Sequence, residues 1–423
     1  MEWLTLSKYS WFDFVFSVVG VCTFLFDWGS DVWVATEFYS RGDFFWFGVL
    51  VGWMLLSSIV VQMFSWFWFK YDRDSEGSCA DTKNVLFGDH VKISCLLHVL
   101  QLGFFCRHIS AIWHGFRVWW RKEQGAEYAV YLTHDLSMLR LIETFCESAP
   151  QLTLMTYIML HTNQARTVQC VSVAASTTSI VWMVVDYHRC LRSFLPDKAN
   201  QGWGSAAVYF LWNLLLIAPR VAAVALFASV LPRAVGGHFL LLWPALALWA
   251  WLQRTDFMES AGGEWLYRAT VGLIWYFSWF NVSEGRTWGR SVIYHGFMAA
   301  DGLVLVATWW AYRDPSQTRP YDHALAAALP ASYLTGLALK ALYYYRFHPK
   351  LGPRRPPPPG LALEVPDSGA VGFRTFAPDQ EAVSPPPPPL LNARMYRHAA
   401  HFYSAEGGMS EKGGPEACAT VVV

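Results

Sequence analysis

Three aspartates lie on one face of the first long apolar stretch, which runs from about residue 9 to residue 38. Asp13 and Asp31 are about five helical turns apart and share nearly the same azimuth on an α-helix, and Asp27 lies about 40° away. The rise between Asp13 and Asp31 is roughly 27 Å, close to the thickness of a bilayer's hydrocarbon core. Because a charge at mid-bilayer costs at least about 2.5 kcal/mol, this stripe indicates a polar path through a membrane.

Further ionisable residues lie in or beside other apolar segments. Arg140, Glu143 and Glu147 share one helical face by their spacing, and Lys340 lies within LALKALYYY. The remaining members are Arg107, Asp186, Arg220 and Asp301. Buried ion pairs that pin helices together, for example Arg140 with Glu143 or with an aspartate of the first helix, are one interpretation. The other is a hydrated or headgroup-lined path, which the excess of acids over bases favours.

The elements that position these charges are transmembrane helices. Of the 423 residues, 54% are hydrophobic and only 15% are charged, and the formal net charge is zero. We therefore expect an all-α polytopic membrane protein with about eight transmembrane helices plus partly inserted or broken helices. Residues 93–113 are too polar for a lipid-facing helix, Pro150 is expected to divide 128–160 into two half-helices, and Gly236 with Gly237 is expected to divide 205–253.

Several functional classes find no support in the sequence. The net charge gives no reason to expect nucleic-acid binding. The eight cysteines show no CxxC spacing, and the histidines show no metal-ligand spacing, so we expect neither a disulfide framework nor a metal site. His134 and Asp135 form an isolated pair for which we expect a structural or surface role. Nucleotide-binding and nucleophile motifs are missing, so we expect no catalytic residues and no cofactor, and the chain is not expected to be an enzyme.

A tail of different composition follows residue 348. Fourteen of the 22 prolines lie in 349–423, which we expect to be a cytosolic, largely disordered regulatory tail after a helical transmembrane domain spanning 1–348. A short amphipathic segment at 391–405 carries Leu391, Met395 and Phe402 at helical spacing. Basic residues cluster in 70–92 and at the start of the tail, so the positive-inside rule predicts that both termini are cytosolic.

The stretch ETFCESAPQLTLMTYIML at 143–160 resembles the signature of the XK-related family of membrane proteins. The segments FLFDWGSDVW, LLHVLQLGFFCR, VDYHRCLR and YFLWNLLLIAPRVAAVALF also match, in order, over about residues 9–348. The resemblance implies two internally related halves of helices. It carries a path role over to Asp13, Asp27, Asp31, Arg107, Arg140, Glu143, Glu147, Asp186 and Arg220, whereas Asp301 rests on its own position in an apolar segment.

Within that family the chain looks similar to the branch that scrambles phospholipids after caspase cleavage. The resemblance implies energy- and calcium-independent exchange of phospholipids, including phosphatidylserine, between the leaflets of the plasma membrane of apoptotic cells. It also implies two kinds of protein partner: an executioner caspase, and a single-span immunoglobulin-type chaperone, basigin or neuroplastin.

The tail contains candidate cleavage sites. Caspases cut after aspartate when a small residue follows, and Asp367 precedes Ser368 in EVPDSG; Asp379, followed by Gln380, is a weaker candidate. Cleavage after Asp367 removes the 391–405 segment, so we expect the side that carries Leu391, Met395 and Phe402 to hold the closed state until the tether is cut.

Two other classes of function remain open from the residues alone. A secondary transporter or channel for a small polar solute could use the same carboxylates to bind coupling ions. A non-transporting scaffold could use all the intramembrane charges as structural ion pairs.

Overall fold

The fold is a bundle of α-helices, seen in a computed structural model that describes residues 11–76, 91–121, 126–162, 167–193, 202–282 and 287–347. The tail, with Asp367, Ser368, Asp379, Leu391, Met395 and Phe402, lies outside the described residues, as does the side chain of Asp13. The helices are α1 (Trp11–Arg41), α2 (Phe44–Glu76), α3 (Val91–Val99), α4 (Gly103–Arg121), α5 (Ala126–Cys146), α6 (Ser148–His161), α7 (Thr167–Ser193), α8 (Trp203–Val230), α9 (Pro232–Leu252), α10 (Ala261–Phe277), α11 (Thr287–Tyr312), α12 (Pro315–Thr318) and α13 (Asp322–Leu342), followed by a π-helical turn (Tyr343–Phe347).

The described residues contain no strand and seven helices that are long and apolar enough to cross a membrane. An eighth candidate is the pair α3–α4, which is bent by 113°. The prediction of an all-α polytopic membrane protein with about eight spans plus broken helices is therefore confirmed. α8 is the central helix, since 67% of its most apolar stretch is buried. It packs against α6, α7, α11 and α13. α1, α2, α9 and α13 are largely exposed and present their apolar faces outward.

Both ends of the described chain lie at the same end of the bundle. Phe16, near the start of α1, packs against Trp203 at the start of α8 and lies under the guanidinium of Arg189. On α8, Tyr209 packs 5.3 Å from Tyr343, which directly follows α13. We call this side of the bundle the termini end.

The pair α3–α4 is bent by 113°, and the end of α4 lies at the termini end, where Trp119 packs 4.7 Å from Trp11. Its tip is held by α2: Ser58 donates to the Gln101 side chain (2.6 Å), and Gln62 donates to the Gln101 carbonyl (2.9 Å). Gln101 itself adopts the left-handed conformation, with φ of 63°. These bonds satisfy the polar backbone where the helix is interrupted at membrane depth, which explains why residues 93–113 are too polar to face lipid.

Two other helix breaks lie at positions that differ from those predicted by the sequence. The helix after α5 does restart, but at Ser148 rather than at Pro150. Proline lacks an N–H and is tolerated in the first turn of a helix, so α6 begins just before it. The prediction that Gly236 and Gly237 end a helix is wrong: both lie inside α9, and the break falls at Leu231, where proline occupies the first position of the next helix.

α9 and α10 approach each other closely at Gly272. A Cβ on residue 272 would lie 2.8 Å from the backbone nitrogen of Ala247 and 3.0 Å from its Cα. Because these atoms belong to a helix backbone, the clash can be relieved only by moving one helix away from the other.

We expect Gly272→Ala to destabilise the protein by about 1–3 kcal/mol through overpacking of the α9–α10 contact. Gly302→Ala on α11 is the matched control, because nothing lies within 4 Å of a Cβ at that position. Thermal unfolding of the two purified variants in detergent or nanodiscs measures the difference. Equal stability of the two variants would contradict the close contact.

Candidate functional site: a carboxylate cluster at a broken helix

Four carboxylates converge where α5 ends and α6 begins. Asp27 and Asp31 lie on α1, Glu143 lies one turn before the break, and Glu147 occupies the break itself. Asp31 and Glu147 are 6% and 7% exposed, whereas Asp27 and Glu143 are half-buried. Electrostatic contacts link Glu143 to the other three carboxylates. The structure thus brings together four of the residues that the sequence predicts for the path.

The first turn of α6 supplies hydrogen-bond donors to the aspartates. Ser148 donates to Asp27 (2.8 Å), and Gln151 donates to Asp31. The N-terminus of a helix also carries a partial positive charge that favours nearby anions. The interruption at Glu147 therefore supplies part of the polar support that an acidic cluster needs inside a membrane.

Within the described residues, none of these four carboxylates forms an ion pair with Arg, Lys or His. Arg140 acts on Glu143 electrostatically but forms its ion pair elsewhere. Like charges at short range repel one another strongly where water is scarce. The cluster is therefore able to bind a cation. Carboxylates that were already held in ion pairs between helices would not be.

A cavity of about 60 Å³ adjoins the cluster. Glu143 and Glu147 line one side of it, and polar side chains of α2 and of the α3–α4 tip line another, including Ser57 and Gln62. Aromatic rings of α1 and α4 complete the wall: Phe24, Trp28, Phe104 and Phe105. The remaining lining residues are Met54, Ser58, Val61 and Gln101.

Arg107 is locked in a structural network on α4. Its Nη1 lies 3.3 Å from Asp135 Oδ2, its Nε donates to Ser65 Oγ (2.7 Å), and Nη2 donates to the Ser65 carbonyl (2.9 Å). His98 Nδ1 lies 2.7 Å from the Ser94 carbonyl and therefore carries the proton, so its Nε2 accepts from Ser65. Of the two roles expected for Asp135, structural or surface, the structure supports the structural one, because the residue is 1% exposed.

Arg140 pairs with Asp186 of α7, not with Glu143 or an aspartate of α1 as the sequence suggested. Its Nη1 lies 3.4 Å from Asp186 Oδ2, and both residues are buried. The guanidinium lies directly against Gly20 of α1: a Cβ at that position would lie 1.7 Å from Nη1. A side chain at residue 20 would displace the guanidinium, so the glycine leaves room for the ion pair beneath α1.

Arg220 and Asp301 form an ion pair in the second half of the chain. Arg220 also donates to the Tyr276 carbonyl (2.9 Å), and His238 joins Asp301 (3.0 Å) to the Tyr276 hydroxyl (2.9 Å). Four helices, α8 to α11, are thereby tied together. Lys340 of α13 bonds to Ser291 and His295 of α11 (2.8 Å each).

The sequence missed the polar neutral residues of the site. Ser57, Gln62, Ser148 and Gln151 are uncharged, and single serines and glutamines are common in apolar helices, so charge alone does not identify them. The usable signal was Gln62, an amide within an otherwise apolar span.

Paired and unpaired acids should respond differently to neutralisation. We expect Asp186→Asn to destabilise the protein by about 3–5 kcal/mol, because it leaves the buried Arg140 uncompensated. Asp31→Asn keeps the hydrogen-bond acceptor, relieves repulsion and breaks no described ion pair, so we expect a change of at most about 1 kcal/mol. Thermal unfolding of the two variants tests this; equal losses would show that Asp31 is also held in a structural pair.

Comparisons with known proteins agree with this architecture. The profile of the family described as XK-related protein matches residues 15–349. A protein named XK-related protein 8 from Gasterosteus aculeatus is 67% identical over 410 residues, covering 96% of this chain and 100% of the relative. Proteins of the same name from Tetraodon nigroviridis and Pan troglodytes are 67% and 43% identical, covering 96% and 80% of this chain and 99% and 84% of the relatives. The chain belongs to the XK-related protein family.

Proposed function

We propose that this chain is a phospholipid scramblase, not an enzyme, and that it exchanges lipids between leaflets without an energy source or calcium. The observation that supports it best is the carboxylate cluster of Asp27, Asp31, Glu143 and Glu147, which forms no described ion pair at mid-span. These charges are costly in a bilayer and do not join helices. Their presence is best explained if they bind the headgroup of a transported lipid.

The position of the cluster fits lipid traffic. It lies between the outward-facing helices α1 and α2 and the interior helices α5 and α6. Phe26 and Trp33, on the outer face of α1, are 76% and 73% exposed and available to acyl chains. In the proposed mechanism, headgroups pass along the carboxylates while their acyl chains stay in the bilayer. The protein lowers the barrier of desolvating the headgroup, so no covalent step is needed.

A secondary transporter or channel for a small polar solute is the second candidate. The observation in its favour is the break between α5 and α6, because broken helices with half-helix ends at an ion site are typical of secondary transporters. The cavity beside the cluster, of about 60 Å³, is too small for most organic solutes but admits water or a small cation.

Location and partners are further parts of the proposal. The termini end carries Arg117 and Arg121 of α4 and Arg189 of α7, and by the positive-inside rule these charges support a cytosolic position for this end and for both termini. We place the protein in the plasma membrane, with a single-span immunoglobulin-type chaperone, basigin or neuroplastin, as its partner. These assignments rest on the family resemblance.

Control by a caspase completes the proposal. Cleavage after Asp367, or less readily after Asp379, releases the segment of Leu391, Met395 and Phe402. Phosphatidylserine exposure in apoptosis then follows from removal of an inhibitor that is attached to the termini end by its own chain.

Reconstitution tests the proposed function. We expect caspase-cut protein in liposomes to flip acyl-labelled phospholipid while leaving trapped solute inside, and the uncut protein to be at least tenfold slower. Solute release without lipid movement would support the transporter or channel instead. No lipid movement in either form, even with the chaperone present, would exclude the scramblase.

Neutralising the cluster tests its role directly. We expect Asp27→Asn with Asp31→Asn to slow lipid exchange by about tenfold, equivalent to about 1.4 kcal/mol of barrier, since the headgroup loses charge compensation along the path. Asp256→Asn, at an exposed position between α9 and α10, is the matched control and should exchange lipid at the unmodified rate. If the double variant is as fast as the control, the path lies elsewhere.

The cleavage site gives a separate prediction. Asp367→Ala should abolish caspase-dependent activation, because caspases require aspartate before the cut bond, whereas Asp379→Ala should leave it intact. Phosphatidylserine exposure on cells after caspase activation is the readout, with fragment size as the control for cutting. Activation that survives Asp367→Ala would transfer the trigger to Asp379 or to another event.

A further inference from the structure

We propose that the loop between α9 and α10, residues 253–260, is a gate at the termini end of the path along the carboxylate cluster. Two of its side chains, Phe257 and Met258, pack against α2 and close the bundle there. Opening requires that they leave α2. The role as a gate rests on the proposed function, whereas the closed contact is a feature of the structure.

The position of the loop follows from its contacts with α11. Gln253, at the start of the loop, accepts a hydrogen bond from Arg290 of α11 (3.1 Å). The next residue, Ser291, accepts from Lys340 near the end of α13 (2.8 Å). The end of α13 belongs to the termini end, so the loop lies on the same side of the bundle.

Polar groups of α10 hold the loop in one shape. The Glu264 carboxylate accepts from the backbone N–H groups of Phe257 (3.0 Å) and Met258 (2.8 Å) and from the Thr255 hydroxyl. Arg268 donates to the Thr255 hydroxyl (2.9 Å) and carbonyl (2.8 Å) and pairs with Glu264 (3.3 Å). Because all these bonds lie within residues 255–268, the loop and the start of α10 form one rigid unit.

This unit meets α2 through apolar side chains. The ring of Phe257 packs edge-on against Trp68, with 6.2 Å between centroids. Trp68 Nε1 donates to Met258 Sδ (3.4 Å), and a thioether is a weak acceptor. All three side chains are buried. The described contacts across this boundary are thus weak ones, whereas the strong polar bonds lie within the loop, so the loop can leave α2 without losing its own shape.

Trp68 lies on the face of α2 that lines the cavity beside the cluster. Ser57 and Val61 belong to the cavity wall, and Phe64 and Trp68 follow them at helical spacing. Since α1 begins at the termini end, α2 runs back toward it, and Trp68 lies about 16 Å beyond Ser57 in that direction. The rings of Phe64 and Trp68 are 6.0 Å apart and fully buried.

Along this face, an apolar block therefore separates the cavity from the termini end. The block consists of Phe64 and Trp68 of α2 and of Phe257 and Met258 of the loop. It offers a headgroup or an ion no replacement for its hydration, so passage is costly while the loop touches α2. A lid that moves as a unit removes this barrier without unfolding either part.

Removing the two side chains of the loop should open the gate. We expect Phe257→Ala with Met258→Ala to speed exchange of acyl-labelled lipid by the uncut protein in liposomes by about fivefold or more, because the apolar block is lost. Asp256→Ala with Glu259→Ala, at exposed positions of the same loop, is the matched control and should stay slow. A double variant as slow as this control overturns the gate.

A reversible cross-link tests the same contact if that variant fails to fold. Trp68→Cys with Met258→Cys, joined by a reducible bifunctional thiol reagent, should block lipid exchange by the caspase-cut protein, and reduction should restore it. The matched control is Trp251→Cys with Trp265→Cys, a stacked pair 6.2 Å apart that joins α9 to α10 without touching the proposed gate. Full exchange by the cross-linked gate pair overturns the proposal.

Thiol labelling measures opening without any lipid assay. In Met258→Cys, a water-soluble maleimide should label position 258 roughly tenfold faster after caspase cutting, as read by mass spectrometry of the purified protein. Glu259→Cys, at the next and exposed position, should label equally fast in both forms.

The two assays together separate the gate from the proposed function. Faster labelling at position 258 without lipid exchange in any form upholds the moving loop and refutes the scramblase. Lipid exchange by the cut protein with equal labelling before and after cutting upholds the scramblase and refutes the gate. Neither faster labelling nor lipid exchange overturns both.

Discussion

The structure depends on one constraint: in a bilayer, every backbone polar group must find its partner inside the protein. The described residues interrupt their helices in several places, and hydrogen bonds hold two of these breaks. Gln101 at the α3–α4 tip is held by α2. After α10, the Phe280 carbonyl accepts from Trp275 Nε1 (2.6 Å), and Tyr294 of α11 caps the Trp275 carbonyl (2.6 Å). The break at Glu147 follows the same rule but exposes a helix N-terminus to the carboxylates of α1, so a packing solution also becomes a polar site.

The charges divide into two populations because of this arrangement. Arg107, Arg140 and Arg220 each hold one carboxylate in a buried ion pair, and these pairs join α4 to α5, α5 to α7 and α8 to α11. Every arginine that the sequence offered to the path is used in this way. The cluster beside α6 is consequently left with acids only, and this imbalance, not the number of charges, separates a site from structural pairing. The ion pairs of these three arginines agree with the first interpretation suggested by the sequence, whereas the path stays a prediction that concerns the four acids of the cluster.

The charged residues of the site could be predicted from the sequence, but the partner of each charge could not. Hydropathy identified the spans, and Pro150 identified a broken helix to within three residues, because proline cannot donate inside a helix. The prediction from Gly236 and Gly237 was wrong, since a glycine pair can lie inside a membrane helix without ending it. The choice of Asp186 for Arg140 depends on how α5 and α7 cross and on the space left by Gly20. No local pattern encodes that contact, and the same holds for Gln62, whose role appears only when the α3–α4 tip meets α2.

Four carboxylates in a low-dielectric setting cannot all be charged at little cost unless a positive charge is near. The helix N-terminus and the donors of Ser148 and Gln151 meet only part of that need. Under the proposed function, the cation arrives with the cargo: a zwitterionic headgroup brings its ammonium to the acids while its phosphate remains close to water. Binding of this kind is temporary, since the headgroup regains full hydration on leaving. A fixed lysine or arginine in the cluster would supply the same charge permanently and would compete with every headgroup, so the proposed passage of headgroups requires that the four acids stay free of such ion pairs.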